Sequence, residues 1–369
     1  MTVAKSAVLP GKNQPFVIQE VEWEDPRDDE VAVRVLACGV CHSDWHCVTA
    51  DFGVEYPIIC GHEGGGIVEK IGKNVTRVKE GDKVVMSFIP SCGHCQPCIG
   101  GQGQLCDSGA NLMSGMRDDG TYRIRDVKGN KIDQFAYLGA FSEYVVIPEN
   151  GCVPIDQNLD LFKVPIVGCR TPTGWGAVVN SGQAEQGCFG MVVGLGGVGF
   201  NAVQGFVSVN ATVIIGVDKN PGKKQWALDW GCTHFIDASS QDVVEEVMKI
   251  TGIGVDVAVD AMGDAEIIQW CEQSIKKNGT AVLSGIPPID QMSAPLHFYA
   301  NVLTQKSFKG SLYGGKSPHE AIPQLLDMYK AGNLKLDQLI TKYYSLDQIN
   351  EAYADMLAGK NICGCIRME

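Results

Sequence analysis

Gly190-Met-Val-Val-Gly-Leu-Gly-Gly-Val-Gly199 is the stretch of this chain that decides its fold. An apolar strand leads into a G-x-G-x-x-G loop, Gly194-Leu195-Gly196-Gly197-Val198-Gly199, and a helical pattern follows over Val198–Ser208. Glycines in such a turn let backbone N–H groups at the start of a helix approach a pyrophosphate. The stretch therefore predicts a strand–turn–helix unit that binds a dinucleotide.

An acidic residue lies where such a unit needs one. The next strand, Val213-Ile-Ile-Gly-Val217, ends in Asp218, 19 residues beyond Gly199. A carboxylate there accepts the ribose hydroxyls of NAD(H) and repels the extra phosphate of NADP(H). Lys219, Lys223 and Lys224 weaken that exclusion. The pattern favours NAD(H), and the alternative is a glycine-rich turn followed by an incidental aspartate.

The wider chain predicts two domains. Strand and helix patterns alternate from about residue 174 to residue 284, as in a doubly wound parallel sheet of the Rossmann type. The first half instead has short β-like segments such as Glu30–Leu36 and Ser142–Ile147. We therefore predict an α/β protein with a β-rich domain over 1–172, a Rossmann domain over 173–312 and a segment over 313–369 that returns to the first domain.

Composition excludes several classes of partner. The chain has 369 residues and a net charge of −13, which disfavours nucleic acid and anionic membrane surfaces. We find neither a secretory signal nor an apolar run of about 18 residues, so the expected location is the cytoplasm. Fifteen cysteines in a cytoplasmic protein indicate metal ligation and buried thiols rather than disulfides.

Four cysteines lie in one short segment of the first half. Cys92, Cys95 and Cys98 have C-x-x-C spacing, and Cys106 follows. Four thiolates can surround a tetrahedral Zn²⁺ and leave no open position, which is typical of a structural site. The alternatives, free thiols or a zinc module that binds nucleic acid, fit the acidic chain poorly. We expect a structural zinc lobe over residues 90–108.

A second metal site is predicted less directly. A catalytic zinc needs about three protein ligands and one open position. Cys41 in Gly39-Val-Cys41-His-Ser43-Asp44-Trp-His46 and His62 in Gly61-His62-Glu63 offer ligand atoms. From the residues alone, Cys41 is equally well explained as an ordinary buried side chain. Cys169 has no local signal that marks it as a ligand.

Taken together, these motifs resemble the zinc-containing medium-chain dehydrogenases, that is, the zinc alcohol dehydrogenases. The resemblance runs from Val31-Ala-Val-Arg-Val-Leu-Ala-Cys-Gly-Val-Cys41 to Ala358-Gly-Lys360, and four independent motifs occur in the family's order. It implies a GroES-like catalytic domain, a Rossmann domain, two Zn²⁺ per chain and NAD(H). It also implies hydride transfer between an alcohol and its aldehyde or ketone.

The resemblance assigns roles to particular residues. Cys41, His62 and Cys169 would bind the catalytic zinc, Glu63 would approach the metal during ligand exchange, and Asp44 would fix the tautomer of His62. Ser43 and the cofactor ribose would pass the alcohol proton to His46 at the surface. The implied cofactor contacts beyond the glycine loop and Asp218 are His42, Thr173, Lys223 and Ile286.

Two positions depart from the common family pattern. His42 stands where many members have an arginine that binds the pyrophosphate, and Cys363 aligns with a second such arginine. Cationic contacts to the cofactor would therefore be fewer, with backbone amides and Lys223 taking part of the task.

Finer features resemble the nicotinoprotein (nitrosodimethylaniline-dependent) alcohol dehydrogenases, in which NAD(H) stays bound. They lie in Ser108–Arg125 and in Gly182-Gln-Ala-Glu-Gln-Gly187. The positions that align with the family's substrate pocket are Phe52, Phe88, Phe135, Ala136 and Ile286. This apolar lining favours primary or aromatic alcohols over sugars.

Three alternatives remain open at this point. A thiol-dependent formaldehyde dehydrogenase would need glutathione or mycothiol, an ordinary dehydrogenase would exchange its NAD(H), and a non-catalytic protein would bind zinc on the same fold. The resemblance also implies a homodimer or homotetramer built by joining Rossmann sheets at their edges.

Overall fold

The computed structural model describes residues 1–109, 111–117, 119–291 and 293–368. The chain forms two compact units, Met1–Cys169 with Ser317–Glu369, and Arg170–Lys316. The boundaries predicted from the sequence, at 172/173 and 312/313, lie within a few residues of these. Within the stretch Ser108–Arg125, Ala110 and Asp118 lie outside the described residues.

The first unit is built mainly from strands. Its elements before residue 170 are β1 (Thr2–Leu9), β2 (Val17–Trp23), β3 (Glu30–Val40), α1 (His42–Thr49), β4 (Ile58–Ile59), β5 (Gly64–Ile71), β6 (Lys83–Met86), α2 (Gln96–Ile99), β7 (Ile124–Arg125), β8 (Lys131–Gln134), β9 (Tyr144–Pro148) and β10 (Cys152–Pro154). Strands β1, β2, β7, β8 and β4 close into a small barrel. This is the GroES-like architecture implied by the resemblance.

The second unit alternates strands and helices. It comprises α3 (Arg170–Gly176), β11 (Phe189–Val193), α4 (Gly197–Ser208), β12 (Val213–Asp218), α5 (Lys224–Trp230), β13 (His234–Asp237), α6 (Val243–Thr251), β14 (Val255–Asp260), α7 (Ala265–Ser274), β15 (Ile275–Leu283), α8 (Phe298–Thr304) and β16 (Ser307–Gly310). The sheet order is β13-β12-β11-β14-β15-β16, and every pairing is parallel. The predicted Rossmann sheet is confirmed.

The C-terminal segment completes the first unit. It contributes α9 (Pro318–Lys330), β17 (Ile340–Ser345), α10 (Ile349–Leu357) and β18 (Cys363–Arg367). Strand β18 pairs with β3, and the resulting sheet has the order β10-β6-β5-β3-β18-β17 with β9 also paired to β3. Strand β3 thereby lies between strands from both ends of the chain, directly before the segment that carries Cys41.

The sequence patterns did not predict α1, α8 or the one-turn helix α2. α1 has the sequence His42-Ser-Asp-Trp-His-Cys-Val-Thr49, with buried residues at Asp44, Cys47 and Val48. One of its buried positions is an acid, so it lacks the apolar stripe that reveals a helix. α8 exposes its apolar residues instead of burying them. In the described part of the chain, no helix combines the length and apolarity that a membrane crossing requires.

Candidate active site and metal centres

The four-cysteine lobe places its sulfur atoms around one point. The Sγ atoms of Cys92, Cys95, Cys98 and Cys106 all lie within 4.8 Å of one another. The Cys92–Cys98 and Cys95–Cys106 distances are both 3.9 Å. Sulfur ligands about 2.3 Å from a tetrahedral zinc lie about 3.8 Å apart. The spacing therefore fits Zn²⁺ closely.

The protonation of the lobe also favours a cation. Burial opposes ionisation of Cys92, but backbone N–H groups of His94 and Cys95 lower its pKa to about 6. Burial raises the pKa of Cys106 to about 12. Without a metal, the Cys106 thiol would keep its proton at neutral pH. A dication that binds all four thiolates removes that conflict, because metal binding replaces the protons.

A second cluster joins residues that are far apart in the sequence. Ligand atoms of Cys41, His62, Glu63 and Cys169 lie within 4.8 Å of one another. Cys41 follows β3, His62 and Glu63 precede β5, and Cys169 is the last residue before α3. His62, Glu63 and Cys169 are buried, whereas Cys41 is partly exposed. The structure thus brings together the three residues expected to bind the catalytic zinc, and Glu63 joins them.

A buried carboxylate lies behind His62. Asp44 Oδ1 lies 3.0 Å from Nδ1 of His62 and accepts a 2.7 Å hydrogen bond from the N–H of Gly61. Burial opposes protonation of His62, but the charges of Asp44 and Cys41 outweigh it and raise its pKa well above the usual value. Nε2 of His62 is buried without a hydrogen-bond partner in the described residues. That atom is therefore suited to a metal ion.

Gly61 is required by the path of the chain at this point. Its φ is +95°, in the region that favours glycine. A Cβ there would lie 2.5 Å from the backbone nitrogen of Phe141. Any side chain at this position would therefore force the backbone of Gly61 or of Phe141 to shift.

The predicted proton relay lies on α1, next to the second cluster. Ser43 Oγ is 4.0 Å from Cys41 Sγ. His46 follows one helical turn later, with 14% of its side chain exposed. Its Nδ1 lies 2.8 Å from Asp51 Oδ2, which also accepts a hydrogen bond from the Thr49 hydroxyl. Sequence reasoning did not select Asp51, because nothing local marks a carboxylate five residues after a histidine.

Three aromatic rings lie on the His62 side of the second cluster. The Phe88 and Phe135 rings lie edge-on to His62, with centroid distances of 5.6 Å and 5.9 Å. Phe52 stacks on Phe135 at 6.1 Å and lies 4.9 Å from His46. Ala136 follows Phe135 in a buried turn. Apart from Ile286, the residues expected to form the substrate pocket therefore lie together within the first unit.

The glycine loop of the second unit has the geometry of a nucleotide-binding turn. α4 begins at Gly197, so its first N–H groups belong to the loop. A Cβ on Gly199 would lie 1.9 Å from the carbonyl oxygen of Gly194, which excludes every other residue there. Asp218 accepts a 2.9 Å hydrogen bond from the N–H of Leu195 and pairs with Lys223 at 2.8 Å. Lys223 is thus held at the predicted ribose carboxylate rather than free for a pyrophosphate.

The remaining cofactor candidates lie in different units. His42 is exposed in the first unit and contacts His46 edge-on at 5.4 Å. Thr173 is partly buried in α3, and Ile286 is 47% exposed after β15. Cys363, at the position of the absent second arginine, is buried in β18.

Comparison with known proteins agrees with this architecture. Residues 27–157 match the family model "Alcohol dehydrogenase GroES-like domain", and residues 197–331 match "Zinc-binding dehydrogenase". The NDMA-dependent alcohol dehydrogenase of Amycolatopsis methanolica is 39% identical over 365 residues, covering 98% of both chains. The chain belongs to the zinc-containing medium-chain alcohol dehydrogenase family.

Two solved structures of this family resemble the chain over its whole length. The benzyl alcohol dehydrogenase from Acinetobacter calcoaceticus has a TM-score of 0.95 and 30% identity, covering 100% of both chains. An alcohol dehydrogenase zinc-binding domain protein from Burkholderia ambifaria has a TM-score of 0.95 and 33% identity, covering 100% of this chain and 99% of its own.

Membership of this family establishes the reaction class. The chain is a zinc-dependent alcohol dehydrogenase, an oxidoreductase that acts on CH–OH groups, and its substrates are alcohols or aldehydes. The alternative of a non-catalytic zinc protein is thereby set aside. The two cysteine-containing clusters provide the kind of donor atoms that a zinc-binding dehydrogenase needs.

Proposed function

We propose that this alcohol dehydrogenase transfers a hydride between a primary or aromatic alcohol and NAD(H), with Cys41, His62 and Cys169 as the catalytic zinc ligands. One observation carries the proposal: two thiols and an imidazole converge within 4.8 Å beside Ser43 and beneath aromatic rings. Three such ligands leave one coordination position for an alcohol.

Each residue near the cluster has a distinct task in this proposal. A zinc ion bound there supplies Lewis acidity, which lowers the pKa of a coordinated hydroxyl. Asp44 holds the His62 ring in place through Nδ1 and so directs Nε2 toward the metal. Ser43 would accept the alcohol proton while giving up its own hydroxyl proton, and His46, which is partly exposed, would release a proton to water. Glu63 is close enough to exchange with a departing ligand.

The choice of NAD(H) is supported by Asp218. Its carboxylate lies at the end of β12, within hydrogen-bond distance of the glycine loop. A negative charge at this edge of a Rossmann sheet favours two ribose hydroxyls over a phosphate. Lys223 neutralises part of that charge, which makes the discrimination moderate rather than absolute.

The substrate class is supported by the rings of Phe52, Phe88 and Phe135. They place apolar surface around His62, and a ring-shaped or chain-like substituent packs well against such a surface. The benzyl alcohol dehydrogenase from Acinetobacter calcoaceticus resembles the chain over its full length. Both points favour benzylic and medium-chain primary alcohols.

We further propose that the chain is a nicotinoprotein, which keeps NAD(H) bound through turnover. The relative from Amycolatopsis methanolica is an NDMA-dependent enzyme, and the similarity covers 98% of both chains. With His42 in place of an arginine, retention would depend on backbone N–H groups of the glycine loop.

Native mass spectrometry of the purified protein tests these points together. We expect the mass spectrum to show two zinc ions and one NAD(H) per chain after extensive desalting. In a separate activity assay we expect alcohol oxidation to be coupled to nitrosodimethylaniline reduction. Loss of the nucleotide on desalting would reject the nicotinoprotein proposal. Turnover only with added glutathione or mycothiol would instead favour the formaldehyde dehydrogenase alternative.

A pair of variants tests the ligand assignment. Cys41→Ala should bind one zinc ion instead of two and lose activity by several orders of magnitude. Cys188→Ala is the matched control, since Cys188 is a buried thiol of the second unit that belongs to neither cluster. Two zinc ions in an inactive Cys41→Ala variant would contradict the assignment.

We also propose a homodimer or homotetramer that forms through the edge of the Rossmann sheet. Strand β16 ends the sheet order, and the preceding helix α8 exposes Phe298, Val302 and Leu303 by 76%, 75% and 66%. Pairing of two such edges would cover unpaired backbone groups and this apolar surface. Light scattering should show an oligomer that Val302→Asp weakens, while a monomeric wild type would contradict the proposal.

A cytoplasmic location completes the proposal. The cysteine ligands of both clusters must remain thiolates, which a reducing compartment preserves. Fractionation of the source cells should recover the enzyme with cytoplasmic markers.

A further inference from the structure

We propose that Arg117 is a positioning residue that holds Phe135 against His62 and thereby sets which alcohols the site accepts. The inference rests on the proposed function, because it concerns the same aromatic pocket. It assigns a task to the stretch Ser108–Arg125, whose described residues contribute no ligand to either cluster.

Arg117 is a buried cation, and each nitrogen of its guanidinium donates at least one hydrogen bond. It belongs to the first unit, and the residue is 8% exposed. Nε donates to Glu30 at 2.7 Å, and Nη1 donates to the carbonyl of Gly115 at 2.8 Å. Nη2 donates to Oε1 of Gln134 at 3.2 Å and to the carbonyl of Val146 at 2.9 Å. Only a planar fork of donors can serve four acceptors in these directions.

Gln134 connects Arg117 to the turn that contains Phe135 through side-chain hydrogen bonds. While its Oε1 accepts from Arg117, its Nε2 donates to the carbonyls of Leu138 and Val146 at 3.1 Å and 3.0 Å. The amide therefore links the residue before the turn to the residue after it. A guanidinium on one side fixes which way the amide points.

The turn itself needs such support. Ala136 and Tyr137 both have positive φ, at 59° and 57°. Left-handed backbone is unfavourable for L-residues other than glycine, so two such residues in succession persist only where neighbours impose them. The carbonyl of Leu112 accepts the N–H of Ala136 at 2.6 Å, and the guanidinium of Arg117 lies 5.5 Å from the Tyr137 ring centroid.

The position of Phe135 follows from this arrangement. Its ring lies edge-on to His62 and stacks on Phe52, so a displacement of the turn would move one wall of the pocket. A substrate that packs against the wall would lose contacts, whereas a small alcohol would not. Arg117 thus acts on the choice of substrate while leaving the zinc ligands in place.

Arg117 can be replaced without leaving the buried carboxylate of Glu30 unpaired. Glu30 also accepts hydrogen bonds from Nε of Arg123, at 2.9 Å and 2.7 Å. Loss of the guanidinium of Arg117 therefore leaves the Glu30 carboxylate paired. Arg117→Lys retains the positive charge as well, but a single ammonium cannot reach both Glu30 and Gln134 in the same geometry.

Steady-state kinetics on a series of alcohols tests the proposal. For Arg117→Lys we expect the ratio of kcat/KM for benzyl alcohol to that for ethanol to fall by about 5- to 10-fold, mainly through KM for benzyl alcohol. Zinc content should remain two per chain. The matched control is Arg125→Lys, an arginine of the same segment that is 46% exposed and pairs with Glu24. It should keep the wild-type ratio.

A merely structural role for Arg117 makes a different prediction. Partial unfolding would reduce activity on all alcohols by one factor, and the ratio would not change. An unchanged ratio in folded Arg117→Lys therefore overturns the proposal. If that variant does not fold, Tyr137→Phe removes the hydroxyl that contacts Asn111 and Ser108, and the ratio should fall in the same direction. No fall in Tyr137→Phe would equally overturn it.

A crystal structure separates this inference from the proposed function. In Arg117→Lys, or in Tyr137→Phe, the Phe135 ring should move away from its 5.9 Å distance to His62. An unmoved ring rejects the inference even if the enzyme is active. A wild type that oxidises neither alcohol rejects the proposed substrates and leaves the ring position as the test of Arg117.

Discussion

Nδ1 of His46, in α1, lies 2.8 Å from Oδ2 of Asp51, which is in the loop that follows this helix. The N–H of Asp51 also donates to the carbonyl of His46 at 2.9 Å, so the two residues are joined by backbone as well as side chain. Hydrogen bonds from Thr49 and from His46 lower the pKa of Asp51, which keeps it a carboxylate at neutral pH. A neutral His46 therefore carries its proton on Nδ1 and offers Nε2 as the acceptor.

Asp51→Asn should slow the release of the alcohol proton. An amide holds the histidine ring less firmly and does not stabilise its cationic form, and partners of this kind contribute about 10- to 100-fold. We expect kcat to fall about 10-fold near pH 7 with little change in KM, and to recover at higher pH as hydroxide takes up the proton. A pH profile of single-turnover oxidation measures this. Asp347→Asn, at an acid with 62% of its side chain exposed, is the control, and identical profiles for Asp51→Asn and wild type would contradict the prediction.

Removing one sulfur from the lobe should affect stability more than chemistry. In Cys106→Ser the remaining thiols cannot close a tetrahedral shell, so we expect one zinc ion per chain and a lower melting temperature. The catalytic cluster shares no ligand with the lobe, so kcat of the folded fraction should change less than about threefold. Metal analysis with calorimetry tests this, using Cys152→Ser, a buried thiol outside both clusters, as the control. Retention of two zinc ions would show that Cys106 is not a ligand.

Asp218→Asn should relax the choice between NAD(H) and NADP(H). The substitution removes a negative charge from the ribose side of the glycine loop and releases Lys223 from its 2.8 Å ion pair. A freed ammonium could then meet the extra phosphate. We expect the ratio of NADPH to NADH affinity, measured by calorimetry on nucleotide-free protein, to rise at least about 10-fold. Asp229→Asn on α5 is the control and should keep the wild-type ratio. A wild-type ratio in Asp218→Asn would show that Asp218 does not discriminate between the two cofactors.

His319 should make the fold sensitive to mild acid. Burial, with Arg77 nearby, lowers the pKa of His319 from 6.5 to about 4, and its Nε2 donates to the carbonyl of Asn150. The unfolded chain takes up this proton near pH 6.5, whereas the folded chain does so only near pH 4. The contribution of His319 to stability is therefore complete above pH 6.5 and declines as the pH falls toward 4.

His319→Gln removes that titration and retains a hydrogen-bond donor. Between pH 7.5 and pH 4.5 we expect the melting temperature of the wild type to decrease more than that of the variant. Differential scanning calorimetry at several pH values measures this difference in melting temperature. Parallel curves for the two proteins would show that His319 does not change its protonation on unfolding in this range.

The local motifs could be predicted from the sequence because their geometry depends on neighbours in the chain. The glycine loop of residues 194–199 turns tightly whatever surrounds it, and C-x-x-C spacing brings sulfurs together within a few residues. The alternation of strands and helices over the second unit was likewise sufficient to predict its parallel sheet. Helix α8 was missed because its apolar side chains face outward, contrary to the usual pattern.

By itself, the sequence determined the fold class, the nucleotide-binding turn and the lobe of four cysteines, since each is encoded by spacing within one short segment. Only the tertiary structure decided that Asp51 lies against His46 and that Arg117 donates a hydrogen bond to Gln134, next to Phe135. It also brings together Cys41, His62 and Cys169, a set that the resemblance implied but no local pattern marked. These contacts join residues from separate strands, helices and loops. The physical reason is that such contacts depend on how the strands pair and pack, which no local periodicity records.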